Sequence, residues 1–545
     1  MTVNTLAVTS LAIIGTGIMG MGIAQIAAQA GIQVLLFDAK AGAAEQGRHS
    51  LQTTLEKLAA KGKFTDEQLQ STLNNLSVID DISKIAKADV VIEAIIENLE
   101  IKQQLFKQLE SIVSAETILA TNTSSLSVTA IASDCVHPER VAGFHFFNPV
   151  PLMKIVEVIP GLSTRSSVVE TLTDLAKRMG HLGVVAKDTP GFIVNHGGRA
   201  YGTEALKILG EGVASFENID RILRDGAGFR MGPFELLDLT GIDVSHPVME
   251  SIYNQFYFEP RYRPHPLTRQ MLIGKKLGRK VGEGFYHYTE NKKQDGQKLT
   301  ANTSQQSSEA SVSKPKFSKA GSNDAIASVW IGADLAEDKQ RLVDYLNANG
   351  ITIDDNDKPN SDSLILLAIY GEDTTNAAIR YQIDPKQAVA IDMLTDLSKH
   401  RTLMPSIVTQ DRFAAQAYAL FGQSSGDDSN ENETTLQGAV DATLIAESTG
   451  FVAQRVIAMV INLGCDIAMQ GIATPKDIDN AVKLGLGYPY GPISWGDELG
   501  AERILLILTR IYGLTGDPRY RPSPWLQRRA KLGISLFTQQ SNCQR

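Results

Sequence analysis

Short apolar blocks separated by longer amphipathic runs organise the first part of the chain. The blocks are LAIIG near residue 11, IQVLLFD near 32, ADVVIEAI near 88, TILATNTS near 117, VAGFHFF near 141, KIVEVIP near 154 and HLGVVAKD near 181. Each is short, rich in β-branched residues and apolar on consecutive positions, which predicts strands covered on both faces. A helix follows the first block at once, and a long helical stretch is expected over residues 41 to 73. Strands alternating with helices predict βαβ units and a mostly parallel sheet.

The pattern changes near Asp188. DTPGFIVNHGGRAYGTEALKILGEG opens a mostly helical region that runs to about residue 290. Residues 290 to 325 are polar and rich in Ser, Gln and Lys, a linker composition. A second α/β stretch is expected over 326 to 424. SSGDDSNENETT reads as an exposed loop, and a helical segment closes the chain. That last segment repeats the first helical one. Gly191-Phe192, Ile219-Asp220, Gly228, Gly232-Pro233, Asp238 and Gly241 recur 259 residues later as Gly450-Phe451, Ile478-Asp479, Gly487, Gly491-Pro492, Asp497 and Gly500. Pro-Arg-Tyr-Arg-Pro occurs at 260–264 and again at 518–522. The expected organisation is a Rossmann α/β domain (8–188), an all-α domain (189–289), a linker (290–325), a degenerate Rossmann-like domain (326–424) and a second helical domain (436–540).

Composition narrows the class. The chain has 545 residues, of which 21% are charged, and a net charge of −9. Mean hydropathy is near zero. These values describe a globular protein with little general attraction for nucleic acid or acidic membranes. Cys135, Cys465 and Cys543 are far apart and odd in number, which argues against a disulfide framework and fits a reducing cytoplasm. No positive residue precedes Lys40, so the apolar N-terminal stretch does not read as a signal peptide. Its glycines break it before it could span a bilayer. The histidines have no metal-ligand spacing, and no metal is expected.

Gly15-x-Gly17-x-x-Gly20, with Ile18 and Met19 inside it, follows a strand and opens a helix. Glycines allow a tight turn and close approach to a pyrophosphate, and the helix N-terminus supplies free N–H groups. Asp38 ends the next strand, placed to bind ribose hydroxyls and to repel the extra phosphate of NADP. The expected cofactor is NAD; the bland alternative is a packing turn. Strand ends at the same sheet edge bring Glu93, Glu97, Lys102, Asn122, Thr123, Ser124 and Ser125 to the crevice. For the acids and Lys102, a solvated helix start explains them equally well.

Glu157 sits inside an otherwise apolar strand, and His145 lies twelve residues before it across an Asn-Pro-Val-Pro turn. A buried carboxylate is costly without a partner. The two form either a satisfied structural pair or a base with its orienting anion. Beside an NAD site the second reading gains weight. Removing hydride from an alcohol carbon requires a base for the hydroxyl proton, and histidine's ordinary pKa of about 6.5 suits it. Lys57, Lys61 and Lys63 form a small basic cluster that reads as a solvated helix face or as a clamp on a phosphorylated handle.

GTGIMGMGIAQ, VIEAIIENLEIK, TNTSSLS, FHFFNPVPLMKIVEVI and DTPGFIVN together resemble the 3-hydroxyacyl-CoA dehydrogenase family over about residues 10 to 290. The two-copy arrangement resembles the long bacterial form, the 3-hydroxyadipyl-CoA or 3-hydroxybutyryl-CoA dehydrogenases linked to phenylacetate and fatty-acid breakdown. The resemblance implies that His145 is the catalytic base and Glu157 its partner. It implies that Ser124 and Asn195 bond the substrate oxygen and orient the reacting centre. Gly15, Gly17, Ile18, Met19, Gly20, Asp38, Glu97, Lys102, Asn122 and Asn148 fall at NAD-binding positions, and Thr54 and Lys61 near those that hold CoA. The implied partner is an acyl-CoA substrate, in the cytoplasm, with a homodimer left open. The second copy lacks the glycine motif and the H-F-F-N-P run, and has Gln454 at the position of Asn195, so it is expected to be silent. Two competing readings are a non-catalytic protein that keeps NAD or acyl-CoA affinity, and a Rossmann enzyme acting on free β-hydroxy acids. Arg199 and Lys207 could meet a distal carboxylate of the acyl group or lie on a helix surface.

Overall fold

The computed structural model describes residues 8–288, 326–422 and 440–539. The expected linker at 290–325 and the loop at 424–435 lie outside the described residues. Contacts divide the chain into two compact units that cut across sequence order. One comprises residues up to Gly198 together with Asp466–Ile493; the other comprises Arg199–Cys465 and the chain from Ser494 onward.

The first unit is built on an eight-stranded sheet: β1 (Ser10–Ile14), β2 (Gln33–Phe37), β3 (Leu76–Val78), β4 (Val90–Glu93), β5 (Ile118–Thr121), β6 (Val141–Phe146), β7 (Ile155–Pro160) and β8 (Leu182–Val185). Their order is β3-β2-β1-β4-β5-β6-β7-β8. Only β6 and β7 run antiparallel. The central strands are apolar throughout because helices cover both faces of a parallel sheet. Ile13, Ile92, Ala120 and Phe144 are completely buried between them. Chain order reverses between β1 and β4, which opens a crevice at the carboxyl ends of those strands.

Two local expectations differ from the structure. The helical stretch from 41 to 73 is two helices, Ala43–Ala60 and Asp66–Asn74. They part at Gly62, where φ is +70°, and Thr65 with Gln68 forms a capping box at the second start. The edge strand β3 is three residues long, too short for any alternation to announce it.

The second unit carries the other sheet: β9 (Val329–Ala333), β10 (Ile353–Asp354), β11 (Leu364–Ala368), β12 (Ala388–Ile391), β13 (Arg401–Pro405) and β14 (Ala442–Leu444), in the order β10-β9-β11-β12-β13-β14. Here β12 and β13 are the antiparallel pair and β14 returns parallel to β13, as β8 does to β7. Ala442–Leu444, which lies within the expected second helical segment, completes this sheet. Among the described residues this sheet has two strands fewer than the first. The helix Val452–Met469 is long and apolar enough to cross a membrane, but 94% of it is buried in the protein.

Candidate active site

The glycine turn is built by exclusion of side chains. Gly15 has φ of +96°, and a Cβ there would lie 2.6 Å from the Ala94 carbonyl oxygen. A Cβ on Gly20 would lie 1.9 Å from the Gly15 carbonyl oxygen. Gly17, in contrast, faces open space. It begins helix Ile18–Gln29, which has no side-chain cap and no acid in its first turn. The first N–H groups are thus left for an anion, as a pyrophosphate requires. Ile18 is exposed beside them. Asp38 accepts from the Thr16 N–H at 2.8 Å and its hydroxyl at 2.9 Å, and from the Lys40 N–H at 3.0 Å. Burial pushes its pKa up, but these hydrogen bonds and Lys40 outweigh that and hold it below the ordinary value. The residues present fit a bound dinucleotide.

On the other side of the crevice, Glu93 ends β4 and is fully buried. Lys102, in the first turn of helix Leu99–Ile112, is buried against it at 2.6 Å and reaches Glu97 at 3.3 Å. Lys102 is therefore a buried counter-ion of Glu93 and Glu97. The solvated-helix-start alternative fails with it. Glu97 Oε1 accepts from the Thr123 hydroxyl and from the N–H and hydroxyl of Ser124 and Ser125. Burial opposes its ionisation, but Lys102 and these donors together lower its pKa. Glu97 thus organises the Asn-Thr-Ser-Ser run. Asn122 accepts from the Phe146 N–H at 2.8 Å, which ties the end of β5 to the residue after His145.

His145 and Glu157 are direct cross-strand partners in the β6–β7 register. Nδ1 of His145 lies 2.7 Å from Glu157 Oε2, and both residues are buried. The other carboxylate oxygen accepts from the Ile193 and Val194 N–H groups at 2.8 and 2.9 Å. Phe147 and Phe192 flank the imidazole, with ring centroids at 4.4 and 5.9 Å. Asn195 Nδ2 approaches the Ser124 carbonyl oxygen at 3.4 Å. Sequence reasoning missed the two N–H groups that hold Glu157. Backbone donors carry no residue signature, so no sequence signal could have found them.

Other expected residues are dispersed. Asn148 is exposed on the turn after β6. Thr54 and Lys61 lie on the exposed side of helix Ala43–Ala60 and at its end, and the Thr54 hydroxyl donates to the Ser50 carbonyl. Lys207 pairs with Glu211 at 2.8 Å and Asp517 at 3.4 Å, a helix-surface role.

The second copy shows what the site has lost. Aligning Pro405 of β13 with Pro160 of β7 puts Asp392 at the position of His145 and Thr402 at that of Glu157. Gln454 donates to Asp392 at 3.1 Å and to the Ile369 carbonyl oxygen, and accepts from the Gly371 N–H. Where Gly15 follows β1, Asp334 follows β9, ion-paired with Arg380 and Arg510.

The sequence patterns of two domains match this chain. The 3-hydroxyacyl-CoA dehydrogenase NAD binding domain matches residues 10–189. The C-terminal domain of the same enzymes matches twice, at 191–288 and 450–536. The chain belongs to the 3-hydroxyacyl-CoA dehydrogenase family. It is similar to the 3-hydroxyadipyl-CoA dehydrogenase of Escherichia coli, with 38% identity over 96% of this chain and 98% of the relative. The mitochondrial hydroxyacyl-coenzyme A dehydrogenase of Sus scrofa is 40% identical over 52% of this chain and 91% of its own. Among solved structures, a 3-hydroxybutyryl-CoA dehydrogenase from Escherichia coli superposes with a TM-score of 0.78 at 38% identity, covering 97% of this chain and 99% of that one. This dehydrogenase thus uses NAD, and the glycine turn lies inside the matched NAD binding domain.

Proposed function

We propose that the chain oxidises (3S)-3-hydroxyacyl-CoA to 3-oxoacyl-CoA, with His145 as general base and Glu157 as its orienting anion. The observation that carries this reading is the saturation of Glu157. Two backbone N–H groups occupy one oxygen, so the other is directed at His145 Nδ1. The imidazole then carries its proton on Nδ1 and keeps a lone pair on Nε2 to accept the substrate hydroxyl proton. Glu157 stabilises the imidazolium that results. Ser124, whose hydroxyl makes only a long 3.3 Å bond to Glu97, is free to turn to the substrate oxygen. Asn195 reaches the same loop through the Ser124 carbonyl oxygen. Bound NAD supplies the hydride acceptor. Asp38 and the Gly15–Gly20 turn hold its ribose and pyrophosphate.

The acyl group is a short one, as in 3-hydroxybutyryl-CoA or 3-hydroxyadipyl-CoA; the full-length likeness to the Escherichia coli 3-hydroxyadipyl-CoA and 3-hydroxybutyryl-CoA dehydrogenases supports this choice. The proposal extends to a cytoplasmic role in phenylacetate or fatty-acid breakdown. The deciding experiment follows NADH absorbance during reduction of acetoacetyl-CoA and 3-oxoadipyl-CoA, with His145→Gln alongside. Wild-type turnover and a fall of about 10²-fold or more in the variant are expected. Equal turnover in both proteins would remove His145 from the mechanism.

A further inference from the structure

We propose that helix Pro475–Leu486, supplied by the second copy, positions the His145–Glu157 pair by fixing Val194. The inference rests on the catalytic reading above. Segment Asp466–Ile493 belongs to the same compact unit as the first Rossmann sheet. Its entry is tied down at two points: the Lys187 N–H donates to the Ile472 carbonyl at 2.9 Å, and the Lys187 ammonium to the Gln470 carbonyl at 3.1 Å.

Beyond that tie, Val482, Gly485 and Leu486 share one helix face by their spacing. They meet Val194, Gly197 and Gly198, which have the same spacing. A Cβ on Gly485 would lie 2.9 Å from Val194 Cγ2 and 3.0 Å from its Cγ1. A Cβ on Gly197 would lie 3.1 Å from Val482 Cγ2, and one on Gly198 3.0 Å from Leu486 Cδ1. Each bulky residue on one segment faces a glycine on the other, so neither segment can slide without a clash. Val194 is β-branched and has little rotamer freedom to yield. Its N–H is one of the two that hold Glu157, and the residue after it is Asn195. A displacement at Gly485 therefore passes through Val194 to Glu157, and from there to His145. Gly485, Val482 and Leu486 touch no reacting atom and are positioning residues. A misplacement of about 1 Å at this distance from the chemistry is enough to cost about 10²-fold.

The test uses the full-length enzyme and compares Gly485→Ala, Val194→Ala, the double variant and His145→Gln. The readouts are kcat with acetoacetyl-CoA, NADH affinity by fluorescence and the thermal midpoint. Gly485→Ala is expected to lower kcat by about tenfold or more with NADH affinity within about twofold, since the glycine turn is untouched. The double variant, with the obstructing methyls gone, is expected to recover most of the loss. Wild-type kcat in Gly485→Ala overturns the proposal. So does a double variant no better than Gly485→Ala alone, which would mark ordinary packing. If Gly485→Ala does not fold, Val482→Ala opens space against Gly197 without adding bulk; a several-fold fall in kcat at constant NADH affinity is expected, and no fall overturns the proposal. An active His145→Gln brings down the catalytic reading and this inference with it, whereas an inactive His145→Gln beside a normal Gly485→Ala overturns only the positioning role.

Discussion

Glu157 and Asp392 show how differently two buried carboxylates can be treated at neighbouring places in equivalent strand pairs. Both Glu157 oxygens are engaged, one by His145 and one by two N–H groups. Asp392 has one oxygen bonded to the Leu394 N–H and Gln454, and the other without a hydrogen-bond partner. Burial, with a smaller contribution from Asp338, pushes its pKa up to about 6. A raised carboxyl pKa contributes stability that is full below the ordinary value of 3.8 and is lost as pH rises through 6. Asp392→Asn removes that loss, so the variant is expected to be more stable than wild type at pH 8 by about 3 kcal/mol. The advantage shrinks to nothing near pH 4, which thermal melts across this range would show. His400 acts in the opposite sense: burial lowers its pKa to about 4, so its contribution is full above its ordinary 6.5 and is lost as pH falls through 4. An advantage of Asp392→Asn that grew on acidification would contradict this account.

At the scale of elements, the central strands were legible because a parallel strand covered on both faces needs an unbroken apolar run. β3 and β14 were not legible, since strands of three residues leave no pattern. The 41–73 helix was read through its break because one glycine is a weak stop signal until its φ is known. The start of helix Leu99–Ile112 could be read two ways because Glu93, Glu97 and Lys102 form equally ordinary spacing on a solvated surface. Only the packing of that helix on β4 makes a buried ion pair of them. Lys102→Met is expected to cost about 3–5 kcal/mol, because Glu93 would stay buried without its cation. Urea unfolding measures this, and a cost below about 1 kcal/mol would mean that Glu93 finds other compensation.

At the scale of the whole molecule, duplication has been put to use. Within the second unit, Arg261 donates to the Arg521 carbonyl oxygen and Arg519 to the Arg263 carbonyl oxygen. These are equivalent residues of the repeated Pro-Arg-Tyr-Arg-Pro motif, in the reciprocal pattern of a two-fold contact. The symmetry is then broken. Arg455 and Tyr520 both bond Glu204 in the interior, whereas the repeat-related positions hold His196, Tyr262 and Leu463. In the second α/β half, Asp334 and Glu372 form ion pairs with Arg380 and Arg510, and these pairs are expected to close the crevice there. Calorimetry is therefore expected to find one NAD per chain. A second site of similar affinity would show that those ion pairs do not close the crevice.

The amino-acid sequence by itself determined the family, the cofactor and the duplication. Each rests on local chemistry: glycines where backbone must approach phosphate, apolar runs where strands are covered, and prolines and glycines repeated at a constant offset. Only the tertiary structure decided that His145 and Glu157 face each other in register, that Lys102 is a buried counter-ion, and that Gly485 packs against Val194. These depend on contacts between residues far apart in the chain and on backbone N–H groups, which every residue type but proline supplies alike.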